Sequence, residues 1–460
     1  MKKIYLDLNA ISHIKDKKVT GLYDFIIKNL NHFVFVYSPA HFDDLMRSYK
    51  EDGSNEYFDE DLNRLDSICE THLMRFDEKK NSVGIYKCSP KEFFETERIN
   101  YSIFKDVFNL DGFIQSQDDD FGLFSFFQDS LKSIEFGKSI DIPFIGSFSN
   151  AWEFLDCVLT FIYKLFSDEA FYRKFRSSIT KDVKEEVISC INDKSPENVI
   201  NAINDFFNKY GVDKDVKEIV RDALPNDKKD NHKLFFQSLY LMLDLMRYRS
   251  DKRRMANIMA DADHAYYGSF CDVLVTNDER MQRKTQVVYA CLGIQTKIIS
   301  KEELMQYLNE EIINELRIDG QSLKEVLPNQ HVPEKINEKD MCFRYTCLDH
   351  PFLSFFDRLE YHQCRSTREA SLALTKELKY TYFTETEKLF EIIKGVLYEA
   401  GLTESFEKEY VEKYRANDKS ANFSFDLGPT LQMVLAVCEE EDYLIPIMYL
   451  VPKLESVQHK

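Results

Sequence analysis

The chain has 460 residues, 44% of them hydrophobic and 30% charged, with a formal net charge of −19. That length provides for two or three domains with sizeable cores, and the acidity excludes a non-specific nucleic-acid coat protein, which would be basic. Thirty-seven Phe and 25 Tyr against 14 Gly and 11 Pro favour a helix-rich, globular architecture with few flexible linkers.

Lys2–Asp7 (KKIYLD) reads as a short apolar strand ending in a carboxylate, with Asn9 two residues on. Gly21 leads into a helix over Leu22–Asn31. A second strand, Phe33–Tyr37 (FVFVY), runs into Ser38 as a helix cap and Pro39 at the first helical position, with Asp43 and Asp44 close behind. Leu62, Leu65, Ile68, Cys69 and Leu73 recur at helical intervals and predict an amphipathic helix over Asp59–Asp77. From Val83 to Asp230 the character changes. An aromatic run, FGLFSFFQDSL, follows the acidic triplet Asp118-Asp119-Asp120, which reads as a solvated loop. Helices are expected over Ala151–Phe166, Lys181–Asn192 and Pro196–Tyr210. The aromatic residues have the chemistry to stack on bases, but a Phe-rich helical core is the simpler reading.

A helix is next expected over Lys233–Met259, and Asp251–Ser269 offers no break before Gly268. Residues 247–254 carry five cations and one acid, an exception in an acidic chain, and so a candidate phosphate-binding stretch. At helical spacing Asn257, Asp261 and His264 share a face, with Arg254 on the same side. Asp272–Thr276 (DVLVT) reads as a buried strand ending in Thr276-Asn277-Asp278. In an open α/β sheet, ligands bind at that carboxyl edge. Gln295–Ile299 is a further strand, after which Ser300 and Glu303 form a capping-box pattern.

Ile318–Asp340, with Gly320, Pro328 and Pro333, has the composition of a linker. The remainder reads as an α+β domain, with a helix over Glu385–Ala400 ended by Gly401 and a strand over Tyr443–Val451. Cys342, Cys347, His350, His362 and Cys364 include enough ligand types for zinc. Their spacing is loose, and ordinary core positions are the simpler reading. The other cysteines are mostly isolated in apolar surroundings, no Cys-x-x-Cys occurs, and a charged strand begins at Lys2. These features predict free thiols in a reducing cytoplasm. The most apolar run, Ile142–Phe166, contains Asn150, Glu153 and Asp156 and is not expected to span a membrane.

Four segments, IYLDLNAI, YSPAHFDDL, DADHAYY and CDVLVTNDERM, together resemble the PIN domain nucleases in kind and order of acidic motifs. The resemblance covers roughly the first eighty residues and residues 235–305. It implies an α/β/α sandwich with a parallel sheet, split by a helical insertion, and metal-dependent hydrolysis of phosphodiester bonds, usually of RNA. On this basis residues 1–82 and 233–310 are the two halves of the nuclease domain, 83–232 the insertion, and 311–460 a regulatory or partner-binding α+β domain. The family's acids fall on Asp7, Asp44, Asp261 and Asp278. Asp44 is preferred to Asp43, and Asp261 to Asp263. Asn9 and Thr276 match polar positions that orient carboxylates, with Asp43 and Asn257 beside them. The gap between the second and third acids is much longer than is typical of the family.

Such a site implies Mg²⁺ or Mn²⁺, hard ions that prefer carboxylate oxygen. In a two-ion site Asp7 is the candidate bridge, with Asp44, Asp261 and Asp278 completing the shells. Arg249, Arg253, Arg254 and His264 are the candidates for holding a nucleic acid. The overall acidity is compatible with a nuclease, because a local basic groove is enough to engage phosphates. It also suggests access controlled by a partner protein or an oligomer. A toxin or antiviral effector governed by its extra domains is the biological role this organisation suggests. Two other classes compete: a non-catalytic PIN-like module in a larger assembly, and a phosphatase of the haloacid dehalogenase class. The second normally has Asp-x-Asp where this chain has Asp7-Leu8-Asn9.

Overall fold

The computed structural model describes residues 1–14, 21–50, 54–107, 132–181, 185–209, 211–250, 253–316, 335–336, 341–364, 366, 370–376, 382–398, 400–426, 431–440 and 443–452. The acidic triplet, the aromatic run at 121–131 and nearly all of the expected linker lie outside them. The chain is a mixed α/β protein. It has a parallel four-strand sheet among helices, a helical middle, and a C-terminal antiparallel sheet. It divides into two compact units, one of residues 4–15 and 36–301, the other of 1–3, 16–35 and 302–460.

The parallel sheet is built from β1 (Lys2–Leu6), β2 (Phe33–Val36), β7 (Val273–Val275) and β8 (Lys297–Ile299), in the order β2-β1-β7-β8. Ile4, Tyr5 and Leu6 lie opposite Val273, Leu274 and Val275, which in turn pair with Lys297, Ile298 and Ile299. Continuous burial along β2 and β7 is what a sheet covered on both faces requires. Beyond β2, Tyr37 makes a parallel bridge to Leu73 at the start of β3 (His72–Asp77). β3 and β4 (Ser82–Lys87) form a hairpin. The helix expected over Asp59–Asp77 is therefore shorter, α4 (Glu56–Cys69). Glu70 turns to a φ of +51°, and residues from His72 onward pair with backbone instead. α2 (Leu22–Lys28) and α3 (Pro39–Met46) fall close to where turn and cap residues predict, and a short helix that was not expected, α1 (Leu8–His13), follows β1.

The middle contains α5 (Pro90–Val107), a β5–β6 hairpin (Glu135–Ile142 and Gly146–Asn150), α6 (Ala151–Ser167), α7 (Glu169–Ile179), α8 (Glu185–Asn192), α9 (Pro196–Lys209) and α10 (Val216–Ala223). The hairpin is an addition to an expected all-helical segment. The single long helix expected from Lys233 is two helices, α11 (His232–Leu245) and α12 (Met255–Gly268). Arg247 and Arg249 adopt φ of +60° and +45° at the break. Asn192 holds both, donating to the Arg247 carbonyl and accepting from the Arg249 amide, while Tyr248 is buried between them. The broken geometry is thus fixed by tertiary hydrogen bonds that no local helix propensity reveals.

α12 packs tightly against β7. A Cβ on Gly268 would come within 3.0 Å of Leu274 Cδ1. α13 (Glu279–Leu292) follows β7, ending at Gly293 with φ +72°. α14 (Lys301–Leu316) follows β8.

The second unit contains a seven-stranded antiparallel sheet in the order β13-β14-β15-β12-β11-β10-β9. Its strands are β9 (Lys335–Ile336), β10 (Met341–Phe352), β11 (Phe356–Cys364), β12 (Ala370–Thr375), β13 (Phe423–Asp426), β14 (Leu431–Glu440) and β15 (Tyr443–Pro452). α15 (Tyr382–Tyr398) contributes Leu389, Phe390 and Ile393 to a core shared with Phe355, Phe356, Tyr410 and Met448. Cys347 is exposed and pairs with Arg358, whereas Phe343 pairs with His362. Four residues along a strand span roughly 13 Å, which separates Cys347 from the His362 and Cys364 end of the hairpin. No helix among the described residues is long and apolar enough to cross a membrane.

Candidate active site

The connections leaving β1 and β7 run in opposite directions across the sheet, β1 toward β2 and β7 toward β8. The carboxyl ends of these neighbouring strands therefore flank a topological switch point, where an open α/β sheet forms a crevice for ligands. Asp7 follows β1 directly, and its amide donates to the Val275 carbonyl. Thr276 follows β7, with Asp278 two residues on.

Asp7 is the N-cap of α1. Its Oδ1 accepts from the Ala10 amide at 2.6 Å. The residue is only 2% exposed, and its Oδ2 is buried with no hydrogen-bond partner among the described residues. Burial pushes the Asp7 carboxyl above its usual range. The Thr276 hydroxyl, the His264 charge and the Ala10 amide oppose that rise without cancelling it.

Asp278 caps α13, accepting from the Arg280 and Met281 amides at 2.9 and 3.0 Å. A helix N-terminus favours a carboxylate there. Its second oxygen accepts from Arg253 Nη2 at 2.9 Å, and the same nitrogen donates to Asp261 Oδ2 at 3.0 Å. One guanidinium nitrogen thus joins two candidate acids. Burial pushes Asp261 up to about 7, with Arg253 pulling down and Asp278 adding to the rise.

Asp44, on α3, faces a different cation. Its Oδ2 accepts from His264 Nε2 at 3.0 Å, and Arg47 Nη1 lies 3.0 Å from its Oδ1. Burial alone would raise the Asp44 pKa, but the hydrogen bond and charge of His264 outweigh it and hold the carboxyl below its ordinary value. For His264, burial works against the charge, yet Asp44 first, then Asp7 and Asp261, raise its pKa.

Behind His264 lies a buried polar chain. His264 Nδ1 is 2.8 Å from the Tyr5 hydroxyl, which is 2.7 Å from Ser38 Oγ and 3.3 Å from His41 Nδ1. The Ser38 amide donates to His41 Nδ1, so His41 carries its proton on Nε2 and donates to the Leu6 carbonyl at 2.6 Å. Burial, with His264 nearby, lowers the His41 pKa to about 3, keeping it neutral. With His264 charged, Nδ1–H donates to Tyr5, and the Tyr5 proton turns toward Ser38 or His41.

The site thus brings Asp7, Asp44, Asp261 and Asp278 into one electrostatic neighbourhood, with Thr276 buried among them. Other expected members lie elsewhere or act differently. His264 is buried and holds Asp44, so it is not an exposed phosphate contact. Arg254 precedes α12 as its cap and is exposed; Arg253 is the residue aimed at Asp261. Arg249 is exposed and bonds to Asn192. Asn9 is exposed on α1, and Asn257 is half-buried in the first turn of α12. Asp43 is exposed and turned toward the Asp263 side, where Lys233 lies 2.9 Å and Gln237 2.7 Å from Asp263 Oδ1. Asp43 also feels the charges of Asp44 and Arg47.

A second, deeper network was not among the expected site residues. Asp244, fully buried, accepts from Lys284 at 2.6 Å, Arg176 at 2.8 Å and Tyr172 at 2.8 Å. A signal was present: Met281, Lys284, Thr285 and Val288 form one helical face, so Lys284 sits in an apolar stripe. Tyr240 is also fully buried, its hydroxyl has no hydrogen-bond partner among the described residues, and Asp261 and Asp278 are among the charges acting on it.

The donor chemistry suits a hard divalent ion: among the described residues Asp7 Oδ2 and Asp44 Oδ1 are both buried without a hydrogen bond, although Arg47 pairs with the latter. Among the described residues, no group of three or more His, Cys, Asp or Glu side chains forms a ready cage for a metal. Mg²⁺ commonly binds through one or two carboxylates plus water and substrate phosphate, so a sparse protein donor set is compatible with it. Comparison with protein-family models, curated proteins and solved structures finds no match to this chain.

Proposed function

We propose that this chain is a metal-dependent nuclease of the PIN type that hydrolyses phosphodiester bonds, of RNA in preference to DNA. The observation that carries the reading is Asp7: a carboxylate at the switch point of a parallel sheet, buried, with one oxygen left without a partner. A buried carboxylate oxygen without a hydrogen bond is costly, and at a switch point that cost is the ground for assigning Asp7 a ligand.

A Mg²⁺ or Mn²⁺ ion, when bound, would supply charge stabilisation and a water of lowered pKa. Asp7 and Asp44 would hold it. Thr276 orients Asp7, while His264 fixes Asp44 through the Tyr5 chain. Asp261, pushed up to about 7, is suited to exchanging a proton near neutrality. RNA as substrate, and a role as a toxin or antiviral effector, rest on the resemblance and on the large additional regions.

One observation favours a second reading, a non-catalytic module in a larger assembly. Asp261 and Asp278 already share the Arg253 guanidinium. The experiment that separates the two is cleavage of single-stranded RNA and DNA in Mg²⁺ or Mn²⁺. The nuclease reading requires metal-dependent cutting that Asp7→Asn abolishes. A module would co-purify with a second protein and be indifferent to that substitution.

A further inference from the structure

Four carboxylates in one site repel one another unless cations stand among them. Here most of that compensation is already built into the chain. Asp44 has His264 at 3.0 Å and Arg47 at 3.0 Å. Asp261 and Asp278 share Arg253 at 3.0 and 2.9 Å. Their side chains are 17% and 25% exposed, so the contact is partly shielded from solvent, unlike an ordinary surface pair. Asp7 has an amide hydrogen bond on Oδ1, with the Thr276 hydroxyl and the His264 charge also acting on the carboxyl, and among the described residues Oδ2 has no hydrogen bond.

Arg253 reaches this position because the chain breaks between α11 and α12. A continuous helix would have carried residues 246–254 along its own axis. Instead Asn192 holds Arg247 and Arg249 after α11, and Arg253, just before α12, faces the second turn of that helix and the cap of α13.

We infer that Arg253 is a resident cation of the site: its guanidinium takes the place of one of the two metal ions expected at four such carboxylates, so that the site takes a single divalent ion, at Asp7. The inference rests on the metal-dependent reading above and makes it specific. A second divalent ion between Asp261 and Asp278 has to expel Arg253 or sit against its positive charge. An ion at Asp7 meets an unpartnered oxygen. Arg253 is on this account the residue that sets the metal count of the site.

The test is Mn²⁺ binding to the full-length protein at neutral pH without nucleic acid, counted by equilibrium dialysis and electron paramagnetic resonance. Wild type is expected to bind one Mn²⁺ per chain and Asp7→Asn none. Arg253→Gln, checked for folding by circular dichroism, is expected to bind two, and Arg253→Lys, which keeps the charge, one. Two ions in wild type, none in wild type, or a single ion in folded Arg253→Gln would each overturn the inference. Should Arg253→Gln not fold, the wild-type and Arg253→Lys counts still decide, because two ions in either contradict a resident cation. The nuclease reading fails separately. One bound ion in the expected pattern with no cutting of RNA or DNA keeps the inference and removes the reading, whereas metal-dependent cutting with two ions bound does the reverse.

Discussion

His264 Nε2 donates to Asp44 Oδ2 across 3.0 Å, joining residues 220 positions apart on α12 and α3. The imidazole is 2% exposed, and its other nitrogen faces the Tyr5 hydroxyl, so the pair is anchored from behind by the central strand of the sheet. His264→Ala leaves Asp44 without its main partner and Tyr5 without one of its contacts. The expected cost is about 3 kcal/mol in denaturant unfolding. Tyr5→Phe removes only the hydroxyl and should cost about 1 kcal/mol. A loss under about 0.5 kcal/mol in His264→Ala, the range of an ordinary surface substitution, would mean that the pair does not hold the two elements together.

Asp244 compensates two buried cations at once, Lys284 at 2.6 Å and Arg176 at 2.8 Å. Asp244→Asn keeps the shape and removes the charge, leaving both cations underpaired inside the protein. Destabilisation of about 3–5 kcal/mol is expected. Replacing Asp244 and Lys284 together by Leu and Met should cost less than Asp244→Asn alone, since an apolar pair leaves fewer orphaned charges. The thermal midpoints of the two variants test that order directly.

Asp261 gives the molecule a pH signature. Its folded pKa, about 7, lies above the unfolded carboxylate value. A carboxyl raised on folding binds its proton more tightly in the native state. Its contribution to stability is therefore fully present below the unfolded value near 4 and lost as pH rises through about 7. Asp261 alone should cost metal-free wild type about 4 kcal/mol over this window, and Asp261→Asn should show a flatter profile. The same slope in both proteins would assign the pH dependence to other groups.

Asp7 has the same sign. Burial raises its pKa, and at neutral pH its unpartnered oxygen weakens the metal-free fold. Asn is as good a helix cap as Asp, so Asp7→Asn should retain the α1 cap. A gain of about 1 kcal/mol in metal-free stability is expected, together with loss of any stabilisation by Mn²⁺. A residue kept for the fold alone would behave in the opposite way.

Local signals in the sequence placed the strand ends, the cap at Ser38–Pro39, and the helix carrying Asp261 and His264, because these follow from periodicity and capping; the cap at Asp7 was not among them. In the packing Asp44 faces His264, while Asp263 faces Lys233. What stayed illegible was decided across long distances. The break after Leu245 depends on Asn192, and the start of β3 depends on Tyr37. The choice of Arg253 over Arg254 depends on the break itself. Tyr5 and His41 were hidden as ordinary core residues, because nothing local marks a hydroxyl or imidazole that completes a buried chain.

The most direct test of the central claim is cleavage of single-stranded RNA in Mg²⁺ or Mn²⁺ by wild type, Asp7→Asn and Asp278→Asn, with all three confirmed folded. The account predicts metal-dependent cutting by wild type that falls at least about a hundredfold in both variants. Cutting that persists in Asp7→Asn, or no cutting of RNA or DNA by wild type with either ion, would contradict it.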